Sequence, residues 1–523
     1  PRLGEVATPL QGLATADDGR FLRRWWEVSR SRLETSATSR EAAAESGSRW
    51  FPFTKGGEYR RWYGNNEYVV NWQYDGRELF DFRPRSVIRN PSTYFREAAT
   101  WGLITAGSAS FRYQPVGSVF GHKGPVIVAD DSQTLRAVLA LANSATAAHF
   151  LQILSPTLGY EVGHIANLPA PIPSEIDLEA CDQLVALAKA DWDSSELSWE
   201  FARPAVLQRG SLRAQVSQVF IDGLARAQRA FDLEQANEKA VATALDLPLS
   251  PRSEGVERIS LFTNPLYGSD RGAPEREAES TYSRNVIEDL VSYAVGCMMG
   301  RFSPDLDGLI LANQGDTLAD YADRIPHPTF APDADGVIPI VDGDWFDDDI
   351  VARFRQFLRA VFGDDHLEDN LRYIVEALGA KELRDYFLKR GTRMATSRFY
   401  DNHVKRYKKR PIYWLFSSPR GSFNALIYAH RYSPTTASTV LNEYLREFQA
   451  KLRASLVHAE RANDAKEADR LREVLLELEE YEHDVLYPLA SRNLAIDLDD
   501  GVKANYSKFG VALRKIPGLE ATE

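Results

Sequence analysis

The stretch KGGEYRRWYGNNEYVVNW, residues 55–72, sets aromatic and β-branched residues among glycine and asparagine turns. This character extends from Phe51 to Ala129, where Tyr, Trp, Phe and Val are frequent and Gly and Pro recur. The composition predicts short strands joined by turns. On its C-terminal side, SQTLRAVLALANSATAAHFLQIL (132–154) spaces apolar residues three or four apart and predicts one amphipathic helix. On its N-terminal side, residues 1–50 favour helix, most clearly in RFLRRWWEVSRSRLETS (20–36).

Helical patterns dominate after a proline-rich linker at residues 169–177. The exception is RPIYWLFSS (410–418) with GSFNALIYAH (421–430), two apolar runs that predict a β-hairpin. Between Pro434 and Pro488 there is no Gly or Pro, and leucines recur at helical spacing. This predicts two helices turning near Asn463–Asp464, with one long rod as the alternative. We therefore expect an α+β fold that is predominantly helical: a mixed α/β domain, then a helix-rich C-terminal region with a long helical pair.

Length and composition limit the class of protein. A chain of 523 residues suggests three or four domains, and 44% hydrophobic with 26% charged residues is ordinary for a globular protein. No apolar run approaches the ~20 residues that span a bilayer, so no membrane association is expected. The first residues, PRLGEVATPLQG, do not resemble a signal peptide, and we interpret the start as a truncation. Two distant cysteines, Cys181 and Cys297, suit a reducing cytoplasm.

Charge is distributed unevenly along the chain. The net charge is −12, which argues weakly against nucleic acid, yet residues 389–431 hold eleven Lys or Arg and one acid, Asp401. A local excess of this kind predicts contact with a phosphate backbone. The alternative is an internal partner for acidic stretches such as 342–349 and 473–484.

Residues for catalysis are missing. A methyltransferase acting on an exocyclic amine needs a glycine-rich turn for the methyl donor and an Asn/Asp/Ser-Pro-Pro-aromatic loop for the base, but the sequence has no G-x-G and no Pro-Pro. NPSTYF (90–95) and NPLYG (264–268) lack the second proline and predict turns. The nine histidines show no metal-ligand spacing. Asp347–Asp349 precede a predicted helix that starts near Asp349, which favours an acidic helix N-terminus over a metal site. No catalytic, cofactor-binding or metal-binding residue is therefore assigned.

Basic and amide side chains in the aromatic region have the chemistry of DNA contacts. Arg and Lys bind phosphates, and Arg and Asn pair with base edges. A sheet face whose aromatics fill a core is the alternative for this segment. Arg89 and Arg96 extend a second basic series. The candidate DNA-binding residues are Lys55, Arg60, Arg61, Trp62, Asn65, Asn66, Arg83, Arg85, Arg112, Lys123, Lys405, Arg406, Lys408, Lys409, Arg410 and Arg420.

Several segments, in order along the chain, resemble the region downstream of the catalytic domain in the PglX family. These are the adenine-specific DNA methyltransferases of BREX phage-defence systems, and related fused restriction-modification enzymes share the region. Residues 11–28, QGLATADDGRFLRRWWEV, are similar to a G-x-x-T-G-x-N-x-x-F segment, although Ala16 stands where glycine is usual and Asp18 where asparagine is frequent. The remaining similar segments are residues 55–72, 140–171, 292–303, 308–315, 410–418, 421–434 and 496–510.

The resemblance implies a parent protein that methylates N6 of adenine with S-adenosylmethionine and acts in phage defence. This chain would supply DNA recognition and complex assembly, so no cofactor is expected to bind within it. The implied partners are double-stranded DNA, the parent's own N-terminal methyltransferase domain and other defence-system subunits. The implied domains are a connector (1–50), a target recognition domain (51–172), a helical domain (178–335), a basic helical and hairpin domain (340–432) and a helical pair with a tail (433–523).

Two other functions remain open on the sequence. One is a non-catalytic specificity subunit of a restriction-modification system, which works beside a separate methyltransferase chain. The other is a helical scaffold or adaptor that never binds DNA. An in-frame Pro-Pro-aromatic motif upstream separates the first from the family interpretation, and DNA retention at low salt separates the second.

Overall fold

In the computed structural model, the aromatic region between Phe51 and Ala129 forms short antiparallel strands, as its composition predicts. The structure describes residues 1–104, 107–155, 159–170, 173–248, 255–269, 275–391 and 393–520. Part of the predicted proline-rich linker, residues 171–172, lies outside this description. Two units are resolved within the chain. Unit 1 comprises Pro1–Trp25, Arg30–Phe201 and Gln218–Tyr282, and unit 2 comprises Trp26–Ser29, Ala202–Ser217 and Ser283–Glu523.

Unit 1 holds two antiparallel sheets. Their strands are β1 (Thr8–Leu10), β2 (Leu22–Arg24), β3 (Trp50–Pro52), β4 (Tyr68–Asn71), β5 (Ala98–Trp101), β6 (Phe111–Gln114) and β7 (Val126–Val128). One sheet has the order β1-β7-β5-β6 and the other has the order β2-β4-β3. In the second sheet Val70 lies opposite both Leu22 and Phe51, and all three side chains are buried. The aromatic side chains of this region therefore fill a core in addition to any surface role.

The helices of unit 1 surround these sheets in sequence. They are α1 (Leu3–Val6), α2 (Asp18–Phe21), α3 (Arg40–Glu45), α4 (Gln73–Asp81), α5 (Ser132–Ala142), α6 (Ala145–Leu154), α7 (Val162–Ala166), α8 (Glu179–Asp193) and α9 (Leu212–Ala244). Helix α9 has residues in both units.

The prediction of one helix over 132–154 is wrong, because the segment forms two helices, α5 and α6, bent by 72°. Ser144 starts the second helix, and its hydroxyl accepts a hydrogen bond from the amide of Ala147 at 2.9 Å. The Glu238 carboxylate also accepts from the amides of Ala145 and Thr146. Capping by a side chain distant in sequence favours the break, and no local periodicity encodes it.

The preference of residues 20–36 for helix is also wrong. After the single turn α2, residues Leu22–Arg24 form β2 and pair with β4. Trp25–Glu27 and Arg30–Arg32 form only short 3-10 turns. Trp25 and Trp26 are 3% and 1% exposed, so tertiary packing of bulky aromatic residues overrides local propensity here.

Unit 2 is built from helices around one three-stranded sheet. Its strands are β8 (Val337–Pro339), β9 (Tyr413–Ser417) and β10 (Asn424–Tyr428), in the order β8-β10-β9. The predicted hairpin is confirmed, because β9 and β10 pair antiparallel from Tyr413↔Tyr428 to Ser417↔Asn424. The helices are α10 (Glu275–Met298), α11 (Leu318–Arg324), α12 (Ile350–Phe362), α13 (Leu367–Leu378), α14 (Leu383–Phe387), α15 (Arg398–Arg406), α16 (Thr436–Thr439), α17 (Arg446–Arg461), α18 (Ala465–Tyr481), α19 (Tyr487–Ser491) and α20 (Gly501–Ser507).

The stretch without Gly or Pro forms the predicted helical pair. Helices α17 and α18 pack together, and Asp464 caps α18 by accepting from the amide of Glu467 at 3.0 Å. Asn463, with φ +54°, reverses the chain, so the turn lies where it was predicted and the single rod is excluded. Two π-helical turns, Val440–Leu445 and Glu482–Leu486, continue the pair at its open end.

Helices with small antiparallel sheets make this the α+β, helix-rich fold that was predicted. The helix expected near Asp349 is confirmed as α12, whose N-cap is Asp349 with its carboxylate 2.7 Å from the amide of Ala352. In the described part of the chain no single helix combines the length and apolar composition needed to cross a bilayer, and only the bent pair α5–α6 meets that test jointly.

Candidate nucleic-acid interface

The segment Gln11–Phe21, part of the first family-like stretch, organises one surface of unit 1. Its backbone pairs on one side with the 120–122 turn, where the Leu13 amide donates to the Phe120 carbonyl at 2.7 Å. On the other side Ala14 and Val87 exchange two amide-carbonyl hydrogen bonds of 2.9 Å. We call Gln11–Phe21 the hub segment. Residues following β4 and residues preceding β7 are thereby held next to each other.

Lys55 and Lys123 flank the hub segment near Asp18. The Lys55 ammonium lies 2.6 Å from Oδ2 of Asp18, and the Thr15 hydroxyl donates to Oδ1 at 2.5 Å. Burial opposes ionisation of Asp18, but these hydrogen bonds and the charges of Lys55 and Lys123 together lower its pKa. Lys55 is thus partly neutralised by an ion pair, whereas the Lys123 side chain is exposed.

A series of arginines follows α4 and borders the same hub segment. Their side chains are exposed, and none forms an ion pair with a carboxylate in the portion of the chain that is described. The Arg85 guanidinium lies 5.0 Å from the Phe82 ring, which leaves its charge directed to solvent. Val87, which lies between two of these arginines, is the residue that pairs with Ala14. The series consists of Arg77, Arg83, Arg85 and Arg89.

The structure places four of the predicted DNA-binding residues inside unit 1 instead of on this surface. Arg60 is 5% exposed, and its guanidinium lies 3.1 Å from the Asp191 carboxylate. That carboxylate also accepts from the amides of Phe262 and Thr263 and from the Thr263 hydroxyl. The Arg60 guanidinium lies 3.7 Å from the centroid of the Phe262 ring. Burial lowers the pKa of Arg60 despite the ion pair, so Arg60 has the surroundings of a structural cation.

Arg61 and Trp62 share a second buried carboxylate, Glu234 of α9. Arg61 donates to Oε2 at 3.0 Å and the Trp62 indole N–H donates to Oε1 at 2.8 Å. The Trp62 ring is 3% exposed. Neither residue presents a free hydrogen-bond donor edge to a base, because the donors that would read it are engaged inside the unit.

Arg112 of β6 is also an interior residue, at 2% exposure. Its guanidinium donates to the carbonyls of Arg60 and Ser110 at 3.5 Å, and burial, with the charge of Arg60, lowers its pKa to about 10. Asn66 is buried, whereas Asn65 is half-buried and donates to the Glu58 carbonyl at 2.8 Å. The alternative of a core-filling aromatic segment therefore describes residues 60–66 better than groove readout does.

The basic segment of unit 2 presents a mixed picture around the end of α15. Lys405, Lys409 and Arg420 are exposed. Arg406 is paired with Asp289 at 2.7 Å, and Arg410 lies 3.9 Å from Glu27. Lys408 is half-buried, and both Lys408 and Lys409 have positive φ angles in a tight turn. The segment therefore combines exposed charges with internal ion pairs, which are the two alternatives that its charge suggested.

Unit 2 also contains a group of buried carboxylates. The Tyr444 hydroxyl lies 2.9 Å from Oδ2 of Asp335 and 3.1 Å from Oδ2 of Asp348. Burial and the neighbouring Asp335 raise the pKa of Asp333 to about 7. Among the residues that the structure describes, no three His, Cys, Asp or Glu side chains are arranged to hold a metal ion. These carboxylates therefore belong to the packing of α12 and the loop before β8.

Two curated relatives align along nearly the whole chain. The adenine-specific methyltransferase BrxX of Escherichia coli O9:H4 (strain HS) is 32% identical over 95% of this chain. The adenine-specific methyltransferase PglX of Lacticaseibacillus casei (strain Zhang) is 32% identical over 97% of it. The chain matches part of the BrxX and PglX adenine-specific methyltransferases. It spans 42% of the length of each relative, and the resemblance inferred from the sequence is confirmed. No family model matches the chain.

The family-like hub segment explains one departure from the family pattern. Ala16, which stands where the PglX family usually has glycine, has φ +60°, a left-handed conformation that favours glycine. Gly12 of the same segment is required sterically, because a Cβ atom there would overlap the carbonyl oxygen of Phe120. Both positions indicate that this BrxX/PglX segment is selected for a close backbone path.

Several exposed cations of this BrxX/PglX region were not assigned from the sequence. They include Arg77 in unit 1 and Arg390, Arg393 and Arg470 in unit 2. Arg470 lies within the predicted helical pair, where charged residues are expected on any solvated helix face. No sequence signal distinguishes it from its neighbours, since its position beside residues 390–393 follows from the tertiary fold.

Proposed function

We propose that this chain is the DNA-recognition and complex-assembly portion of an S-adenosylmethionine-dependent N6-adenine DNA methyltransferase of BREX-type phage defence. The similarity to BrxX and PglX supports the family. The observation that carries DNA contact is the exposed arginine series bordering the hub segment. Methyl-donor binding and chemistry belong to the rest of the parent protein, and other defence subunits and a cytoplasmic location are part of the proposal.

The contact surface proposed for unit 1 consists of Lys123 and the arginines that follow α4. Guanidinium groups that are exposed and not engaged by carboxylates can bind phosphate oxygens without first breaking an ion pair. Lys123 and Arg85 belong to turns held on opposite sides of the hub segment, which spreads the positive charge across one surface. Arg60, Arg61, Trp62 and Arg112 support this surface from inside and do not read bases.

The contact surface proposed for unit 2 is smaller. Lys405 and Lys409 are exposed near the end of α15. They can add phosphate contacts that are independent of sequence. Neither surface defines the recognition sequence, because base choice depends on side chains that enter a groove.

The proposal is tested by charge reversal at Arg83, Arg85 and Arg89, each changed to Glu. Binding of the chain to a fluorescent duplex is measured by anisotropy between 50 and 200 mM salt. Loss of three phosphate contacts should weaken binding to every duplex and reduce the slope of log K against log salt by about 2.7, from ~0.9 per contact. A triple reversal at Lys239, Arg258 and Arg276, also exposed in unit 1, is the matched control and should leave the slope unchanged.

A second pair of variants tests unit 2 separately. Reversal of Lys405 and Lys409 should lower the slope by about 1.8, whereas reversal of the exposed Lys381 and Lys503 should not change it. Equal binding by all variants, or no retention of DNA by the unmodified chain at 50 mM salt, would favour the scaffold alternative. In the complete protein, the Arg83/Arg85/Arg89 variant should also reduce N6-methyladenine in the host genome as measured by long-read sequencing.

A further inference from the structure

A cleft in unit 2 lies apart from both proposed DNA surfaces and encloses about 120 Å³. One wall is the loop between Lys389 and Thr396, whose ends pair through two amide-carbonyl bonds of 2.7 and 2.9 Å. A second wall is the turn between β9 and β10, and the others are α17, α18 and Trp345. The first two walls are joined by the Ala395 amide, which donates to the Arg420 carbonyl at 2.8 Å.

Four arginines line this cleft: Arg390, Arg393, Arg420 and Arg470. Arg390 lies 3.6 Å from Asp342, and Arg470 forms an ion pair with Glu467 one turn away on α18. Arg393 and Arg420 are exposed and have no carboxylate partner within the described ranges. Two guanidinium groups are therefore available at the cleft to a ligand of opposite charge.

The acids of the cleft do not cancel these two charges. The buried Glu477 carboxylate is saturated by neutral donors: Oε1 accepts from the Ser418 hydroxyl and the Arg420 amide at 2.5 and 2.8 Å, and Oε2 accepts from the Ser422 hydroxyl. These bonds fix the turn that carries Arg420. Arg420 therefore starts from an immobilised backbone, which lowers the entropy lost when it clamps a ligand.

The cleft also has an apolar side formed by Leu388, Phe448 and Leu452, with the Trp345 ring 5.7 Å from that of Phe448. A volume of about 120 Å³ admits a phosphate group with a small attached moiety and excludes a duplex. Arginine pairs bind phosphate through parallel, charge-assisted N–H···O contacts. The available charge and the size together select a compact oxyanion.

We propose that this cleft binds a phosphate group between Arg393 and Arg420. The phosphate has two possible sources, a free mononucleotide or a phosphodiester of a nucleic-acid strand. The inference does not rest on the DNA surfaces proposed above, because Arg393 and Arg420 belong to neither of the variant sets that test them. A negative result there leaves this site open, and the reverse also holds.

The test compares the unmodified chain with an Arg393→Ala/Arg420→Ala double variant and with a matched Arg372→Ala/Arg461→Ala control. Arg372 and Arg461 are exposed in the same unit and outside the cleft. The probes are inorganic phosphate and adenosine monophosphate, measured by isothermal titration calorimetry, and a single-stranded oligonucleotide, measured by anisotropy. Thermal unfolding midpoints confirm that the variants remain folded.

If the source is a mononucleotide, the unmodified chain and the control should bind adenosine monophosphate saturably, and the double variant should bind at least tenfold more weakly. If the source is a strand, the oligonucleotide alone should show the tenfold loss. Equal affinity of the double variant and the control for every probe overturns the proposal, and so does an unmodified chain that binds none of the probes. A milder Arg420→Lys variant should retain part of the affinity, because it keeps the charge but not the paired geometry.

Discussion

The buried pair of Arg60 and Asp191 allows a direct test of whether residues 55–72 are structural. Asp191 accepts four hydrogen bonds and its side chain is fully buried. Changing Asp191 to Ala leaves the Arg60 guanidinium buried without a counter-charge and removes the acceptor for two amides. Breaking a buried pair in this way costs about 3–5 kcal/mol in free energy of unfolding. Changing Arg60 to Met should cost less, about 1–3 kcal/mol, because three neutral donors still satisfy the carboxylate.

The assay is urea unfolding at pH 7 followed by tryptophan fluorescence, since Trp192 packs against Arg60 with the guanidinium 5.3 Å from its ring. With an unfolding slope of about 2–3 kcal/mol per molar urea, Asp191→Ala should lower the midpoint for unit 1 by about 1–2 M. The Arg60→Met variant should show a smaller shift and unchanged base preference in DNA binding. The reasoning fails if Asp191→Ala costs less than 1 kcal/mol, or if Arg60→Met changes base preference while leaving stability intact.

Three further predictions concern the hub segment and the buried carboxylates. Ala16→Gly should raise the free energy of unfolding by about 0.5–1 kcal/mol, because relief of the left-handed strain exceeds the added chain entropy; a loss of stability in urea unfolding would contradict this. Gly12→Ala should destabilise unit 1 or shift its backbone, whereas Gly19→Ala, where a Cβ meets only a side-chain oxygen at 3.4 Å, should be nearly neutral by thermal unfolding. Because the pKa of Asp333 is raised to about 7, the folded state holds a proton that the unfolded state has lost. Stability should therefore fall as pH rises from about 4 to 7, and Asp333→Asn should flatten this part of the pH profile; a wild-type profile that rises there instead would refute the assignment.

Local sequence patterns predicted the elements whose causes are local. The hairpin at 410–430 and the helical pair after Pro434 depend on alternating apolar residues, turn residues and helical spacing within a few residues. The same holds for the helix that Asp349 caps. The break in 132–154 could not be predicted, because its stabilising carboxylate, Glu238, lies 92 residues away from Thr146. The strand at Leu22–Arg24 likewise depends on its pairing with β4.

The candidate site illustrates the same limit for charged residues. Arginine interleaved with aromatics is equally compatible with a groove contact and with a buried cation stacked on a ring. Arg60 and Arg83 have similar local surroundings in the sequence, yet the first meets a carboxylate 131 residues away and the second is exposed. Which outcome occurs is decided by acids on α8 and α9, and one sequence does not reveal which acid will face which arginine.

The buried arginines and the exposed ones are linked by position. Asp191 and Glu234 hold Arg60, Arg61 and Trp62, and Trp62 pairs in turn with β6 by donating its amide to the Phe111 carbonyl at 2.8 Å. The same unit carries the hub segment and the arginines of residues 77–89. A recognition surface must keep its phosphate contacts at fixed spacing while the duplex is bent or a base is extruded at a cost of a few kcal/mol. Buried ion pairs that fix the path of residues 55–72 thus contribute to DNA recognition through the rigidity of the unit, with no contact to the bases.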